Sequence, residues 1–195
     1  MIGGSDFAEG QTPLNADELL GLIPPITRHG ELNELEQLNI VAAEGALFTR
    51  RPPSTLLDEK YILRVHKRMF GEVWRWAGKF RVSDKNIGCP WPDVPNELRA
   101  LLGDVKFWIE ANSFQPDDIG IRFHHRLVAI HLFPNGNGRH ARMMADLLAV
   151  RLGRPRFSWG SAHPDNAGDV RRRYIQALRA ADNHDIAPLV TFARA

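Results

Sequence analysis

The run His131-Leu132-Phe133-Pro134-Asn135-Gly136-Asn137-Gly138-Arg139-His140-Ala141-Arg142 constrains the fold more than any other stretch of this chain. Pro134 lacks a backbone donor, and Gly136 and Gly138 favour positive φ, so no helix continues through the run. Before it, Asp117 to Leu132 carries Ile121, Leu127, Val128, Ile130 and Leu132 among charged residues, which predicts a helix. From Arg139 the helical pattern returns with Met143, Met144, Leu147, Leu148 and Val150. The chain is therefore committed to two helices joined by a glycine-rich loop, with a histidine at its entrance and two arginines at its exit.

That layout suits a phosphate. Successive N–H groups of Gly136, Asn137 and Gly138 can turn toward one point as an anion nest, and the following helix adds its unpaired N–H groups and the positive end of its dipole. Arg139 and Arg142 are spaced to share a helix face and to fork onto phosphate oxygens. His131 can take a proton near neutral pH. An anion site beside a base is what phosphoryl or nucleotidyl transfer requires. Two familiar phosphate loops are excluded: no Lys-Ser/Thr ends the glycine run, and no strand precedes it.

A chain of 195 residues is expected to form one domain with its own core. The formal net charge of +2 argues against a dedicated nucleic-acid binder. A single cysteine, Cys89, rules out an internal disulfide and a cysteine-rich zinc site, and fits a reducing compartment. The opening residues lack a basic region followed by an apolar run, and no apolar stretch approaches the ~18 residues of a membrane span. The expectation is a cytoplasmic protein with no membrane association.

Residues 1–30, rich in Gly, Pro and Asp, read as an arm lying on the domain of residues 31–195. A helix is expected over Glu31–Thr49, burying Leu32, Leu35, Leu38, Ala42 and Leu47. Ser54 or Thr55 caps the next, which runs to about Val73 with Leu57, Ile62, Val65 and Met69 inward. The helical period breaks over Lys79–Gly88, where Phe80, Val82 and the turn-forming Asp84-Lys85-Asn86 suggest a short β-hairpin. Helices follow over Pro92–Asn112, Asp165–Asp182 and Ile186–Ala195. His124 and His131 share a face, but no third ligand of matching spacing accompanies them, so His124 reads as a buried, polar-bonded residue.

The run from His131 to Arg142 resembles the Fic domain signature, His-x-Phe-x-Asp/Glu-Gly-Asn-Gly-Arg-x-x-Arg, matching at His131, Phe133, Gly136, Asn137, Gly138, Arg139 and Arg142 and departing at Asn135, where an acid is usual. Similarity extends over about Glu31–Ala195, and Leu-Ile-Pro-Pro and Glu-Leu-Asn-Glu-Leu-Glu are most similar to the branch called mobile mystery protein B. The resemblance implies an all-α Fic-type bundle with a small β-hairpin flap at 79–88. It implies transfer of AMP from ATP to a Ser, Thr or Tyr hydroxyl of a target protein. His131 would be the base, and Phe133, Gly136, Asn137, Gly138, Arg139, Arg142 and Tyr174 would form the nucleotide site.

Mg²⁺ would sit by Asn135, whose neutral amide weakens the site because Mg²⁺ prefers charged oxygen ligands. A target would dock on the flap at Phe80, Arg81, Val82 and Ser83, and a regulatory partner protein is also implied. Many family members carry Ser/Thr-x-x-x-Glu-Gly/Asn on an inhibitory helix whose glutamate pairs with the motif's second arginine. Glu44-Gly45 on the helix of residues 31–49 matches the end of that pattern, with Ile40 in place of the hydroxyl residue. Glu44 is thus expected to occupy Arg142. Two other readings stay open from the residues themselves: transfer of another phosphate group at the same site, and a non-catalytic nucleotide-binding regulatory protein.

Overall fold

The computed structural model describes residues 14–26, 28–161 and 167–195. Much of the expected arm, residues 1–13 and 27, and the expected start of the long helix at Asp165 lie outside them. In order, the helices are α1 (Ala16–Leu19), α2 (His29–Leu47), α3 (Glu59–Phe70), α4 (Val94–Glu110), α5 (Pro116–Ile130), α6 (Asn137–Arg151), α7 (Ala167–Asp182) and α8 (Ala187–Arg194). The antiparallel pair α5–α6 is the centre of the molecule. On one side α2, α3 and α4 close a core around Ile62, Val65, Phe70, Leu98, Leu127 and Met144. On the other, α7 and α8 pack Leu189 and Phe192 against Ile121, Ala145, Ala149 and Phe157.

The boundaries follow local chemistry. Pro at the first turn and Asp117 and Asp118 beside the positive helix end start α5. Asp117 also receives Arg194 at 2.8 Å, which ties the end of α8 to the start of α5. In α2 the buried positions are Leu32, Glu36, Ile40 and Ala43, whereas Leu38 is 66% exposed and Ala42 lies outside. The expected apolar face was therefore rotated. Its register breaks because Glu36, a charged residue, turns inward to accept the indole N–H of Trp74 at 2.6 Å. Trp74 in turn stacks on Trp76, with 4.9 Å between ring centroids.

The expected β-hairpin is absent: among the described residues no strand forms, and 79–88 is irregular backbone with bends. The only ladder-like pairing described is an isolated antiparallel bridge between Leu22 and Trp74. The physical cause is Arg81. Its side chain folds inward and takes the carbonyls of Ser83 and Cys89, while its own N–H goes to Leu132 O at 3.0 Å. Backbone groups that a hairpin would pair across its two arms are engaged elsewhere. The fold is an all-α bundle with an irregular loop where the flap was expected.

Candidate active site

His131 sits where α5 must stop and the chain must turn into the loop. It adopts the left-handed conformation, φ 60 and ψ 66, a place usually given to glycine. Its N–H still reaches Leu127 O at 3.2 Å. Only 4% of the residue is exposed. Burial first, then the cations of Arg81 and Lys85, pull its pKa down to about 4 against a weaker opposing effect of the Val128 carbonyl. The ring is therefore neutral at pH 7, the form a general base needs. The cations responsible lie on the 79–91 segment rather than on α6.

The loop after His131 is held rigidly. The Asn137 side chain accepts from Phe133 N–H at 2.9 Å and donates to Phe133 O at 2.8 Å, clamping the turn from within. Phe133 is itself fully buried, stacked on His66 at 3.6 Å and edge-on to His140 at 5.0 Å, so it anchors the loop in the core instead of lining the cleft. His66 accepts from Gly78 N–H at 3.0 Å, which leaves its other nitrogen to donate to Asn135 O at 3.1 Å. Gly136 has φ 78, and a Cβ there would lie 2.6 Å from the Phe70 ring. No other residue fits that position.

Gly136 is the N-cap of α6, whose first intrahelical bond runs from His140 N–H to Gly136 O at 2.9 Å. The N–H groups of Asn137, Gly138 and Arg139 precede that bond and carry the helix's positive end. Arg139 reaches back to Glu36 at 2.7 Å. Arg142 lies over the ring of Tyr174, 5.4 Å from its centroid, and among the described residues no carboxylate pairs with it. The Tyr174 hydroxyl meets His124 Nε2 at 3.0 Å, and burial pushes its pKa up to about 12. His124 is thus the buried, polar-bonded residue expected. His131, Asn135, Gly136, Asn137, Gly138, Arg139, Arg142 and Tyr174 line a single cleft of about 970 Å³.

The donors do not fit a resident Mg²⁺. The Asn135 side-chain oxygen already accepts Gly136 N–H at 2.5 Å, and the described residues hold no group of three or more His, Cys, Asp or Glu that could bind a metal.

Two expected roles shift with the packing. Arg81 does not face a docking partner, being 1% exposed, whereas Val82 beside it is 78% exposed. Phe80 is half-buried, and Ser83 donates to Glu18 at 3.4 Å. Glu44 lines a smaller cavity with Arg142, yet its carboxylate pairs with Arg156 at 2.6 Å, not with Arg142. The pattern it half fulfils occurs whole upstream, as Ser5-Asp6-Phe7-Ala8-Glu9-Gly10, outside the described residues. Sequence reasoning passed over that run, and over Glu36 and His66. The signal for those two was a charged or titratable residue at helical spacing from a buried apolar one.

The Fic/DOC family model matches residues 56–149, which span α3 through most of α6. The protein adenylyltransferase Fic of Aedes aegypti is 32% identical over 137 residues, covering 68% of this chain and 26% of that protein. Its counterpart in Drosophila mojavensis is 31% identical over the same length. This chain thus spans about a quarter of the length of those relatives. Among solved structures, the BepC protein of Bartonella tribocorum with bound AMPPNP superposes with a TM-score of 0.70 at 17% identity, over 92% of this chain and 97% of that one. Fic-1 of C. elegans (residues 134–508) gives 0.65 at 22% identity, over 90% and 51%. With the signature loop, the helical frame and the sequence match in agreement, the chain belongs to the Fic/DOC family.

Proposed function

We propose that this chain transfers AMP from ATP to a Ser, Thr or Tyr hydroxyl of a target protein and releases pyrophosphate. The observation that carries the proposal is one cleft in which a buried, neutral His131 faces the open N-terminus of α6 and Arg142. The hydroxyl oxygen attacks the α-phosphorus, its proton passes to the His131 ring, and the bond to the β-phosphate breaks. The N–H groups of Asn137, Gly138 and Arg139 meet phosphate oxygens, while Arg139 and Arg142 offset the charge of the leaving group and terminal phosphate. Asn137 contributes through its backbone, because its side chain closes the loop onto Phe133. Any Mg²⁺ arrives with the nucleotide phosphates, and Asn135 offers it a neutral oxygen only.

Residues 31–195 act as the transferase unit in this reading, with 1–30 as its arm. The target docks on the segment that exposes Val82, Ile87 and Trp91 next to His131. In this reading self-inhibition falls to Glu9, which stands in the complete Ser-x-x-x-Glu-Gly pattern, while the Glu44 carboxylate pairs with Arg156. Incubation of the protein with ATP and a cell lysate, followed by mass spectrometry, tests the activity. Gain of an adenylyl group is expected; gain of phosphate alone reassigns the site to phosphotransfer, and no gain leaves a non-catalytic nucleotide binder. His131→Ala should lower transfer about 10²–10⁴-fold with ATP affinity within a few-fold.

A further inference from the structure

We infer that Arg81 is the positioning residue of this site, whose buried guanidinium fixes the backbone of His131 and couples it to the exposed segment of residues 82–91. The inference rests on the reading of His131 as the base. Nε of Arg81 donates to His131 O at 2.6 Å, and Nη2 reaches Ile130 O at 3.4 Å. Both carbonyls belong to the C-terminal end of α5, where a cation complements the helix dipole. The same guanidinium donates to Ser83 O at 3.0 Å and to Cys89 O. Its nearest carboxylate, Asp84, stands 3.6 Å away and is largely exposed. Backbone carbonyls rather than a buried counterion thus compensate the desolvation of Arg81, so its geometry is set by where those carbonyls stand.

The consequence is mechanical. His131 holds a left-handed conformation that costs free energy, and its carbonyl is fixed by Arg81 in that conformation. Gly88 packs so close that a Cβ on it would lie 2.7 Å from His131 Cβ and 2.9 Å from Arg81 Nη2. A protein that docks on Val82, Ile87 or Trp91 presses on a segment whose carbonyls at Ser83 and Cys89 share one guanidinium with His131. Arg81 therefore links target docking to the alignment of the base. The other charges near His131 are Lys85, paired with Glu18 of α1 at 2.5 Å, and Arg139 and Arg142 across the cleft.

The test compares the full chain with Arg81→Gln and Arg81→Lys, each checked for folding by thermal unfolding. In Arg81→Gln the apparent pKa of His131, followed by NMR titration of the ring, should rise from about 4 toward the ordinary 6.5. The acid limb of the pH–rate profile should move with it. The kcat for AMP transfer should fall roughly 10–100-fold with KM for ATP within about three-fold, as misplacement of a reacting group predicts. Arg81→Lys, which keeps charge but cannot reach several carbonyls at once, should restore the titration more than the kcat. A third readout needs no variant: the Arg81 Nε–H of the parent protein should exchange with solvent at least a hundred-fold slower than an exposed guanidinium. Folded variants with unchanged titration and kcat, or fast exchange in the parent, overturn the inference. If the parent transfers no AMP, the functional reading fails, while titration and exchange still decide the role of Arg81.

Discussion

Glu36 of α2 and Arg139 of α6 meet at 2.7 Å, with the carboxylate almost wholly buried and the guanidinium about one-third exposed. An arginine in the first turn of a helix stands where the dipole favours anions. Glu36 offsets that cost for Arg139 and simultaneously accepts the Trp74 indole N–H at 2.6 Å. The Arg139 guanidinium that lines the cleft is thus held by a residue of the core.

Glu36→Ala leaves both the indole N–H and Arg139 without their acceptor, so it should destabilise the fold by about 3 kcal/mol. Glu36→Gln preserves an acceptor for Trp74 and should cost only about 1–2 kcal/mol. Urea unfolding of the two variants beside the parent checks the order. Equal losses would mean that the charge facing Arg139, and not the indole bond, dominates.

Asn135 tests whether the chain contributes a ligand to Mg²⁺. Its side-chain oxygen bonds Gly136 N–H at 2.5 Å and carries no charge. Asn135→Asp introduces the charged oxygen that Mg²⁺ prefers, and should lower the Mg²⁺ concentration for half-maximal transfer several-fold. Titration of Mg²⁺ at fixed ATP provides the measurement; an unchanged midpoint would place the ion wholly on the nucleotide.

The two candidate inhibitory glutamates make opposite predictions. Glu44 pairs with Arg156 at 2.6 Å, so Glu44→Gly should leave AMP incorporation within about two-fold of the parent. Glu9 completes the Ser-x-x-x-Glu-Gly pattern with Ser5. Glu9→Gly should raise incorporation at least tenfold, equivalent to about 1.4 kcal/mol of released inhibition, and adding Arg142→Ala should abolish the gain. Labelled AMP incorporated into the protein itself is the readout, and activation by Glu44→Gly alone would return the role to α2.

Acid should weaken the fold through its buried histidines. Burial drives the pKa of His124 down to about 3 and those of His131 and His140 to about 4, and holds His66 well below its ordinary value. These rings are neutral when folded and take protons near 6.5 when unfolded, so the unfolded state binds more protons as pH falls from about 6.5 to 4. Their stabilisation is whole above that window and declines within it, by on the order of 2 kcal/mol for each of His124, His131 and His140. Asp146 acts in the opposite sense: burial raises its pKa to about 6, so its protonation favours the folded state between about pH 6 and 3.8. Several histidines oppose one carboxylate, and the net slope is loss of stability toward acid. Urea midpoints measured from pH 7.5 to 4.5 should fall steadily.

The sequence by itself determined the helix–loop–helix and the residues that line its loop. Proline, positive-φ glycines and helical periodicity act over a few neighbouring residues, so their outcome is legible before any tertiary contact. His131 at the helix end, Gly136 at the start of α6 and Arg139 and Arg142 on its face follow from that local logic. Only the tertiary structure decided which charged residues turn inward. Glu36 shifts the buried face of α2 because Trp74 and Arg139 lie opposite it, and Glu44 pairs with Arg156 because residues far apart in sequence converge beside α2. Arg81 replaces the expected hairpin with a loop because four carbonyls, on both sides of the chain reversal, converge on one guanidinium. Periodicity assigns a charged residue to solvent by default. Burial with partners from distant segments reverses that assignment, and those partners exist only after the helices have packed.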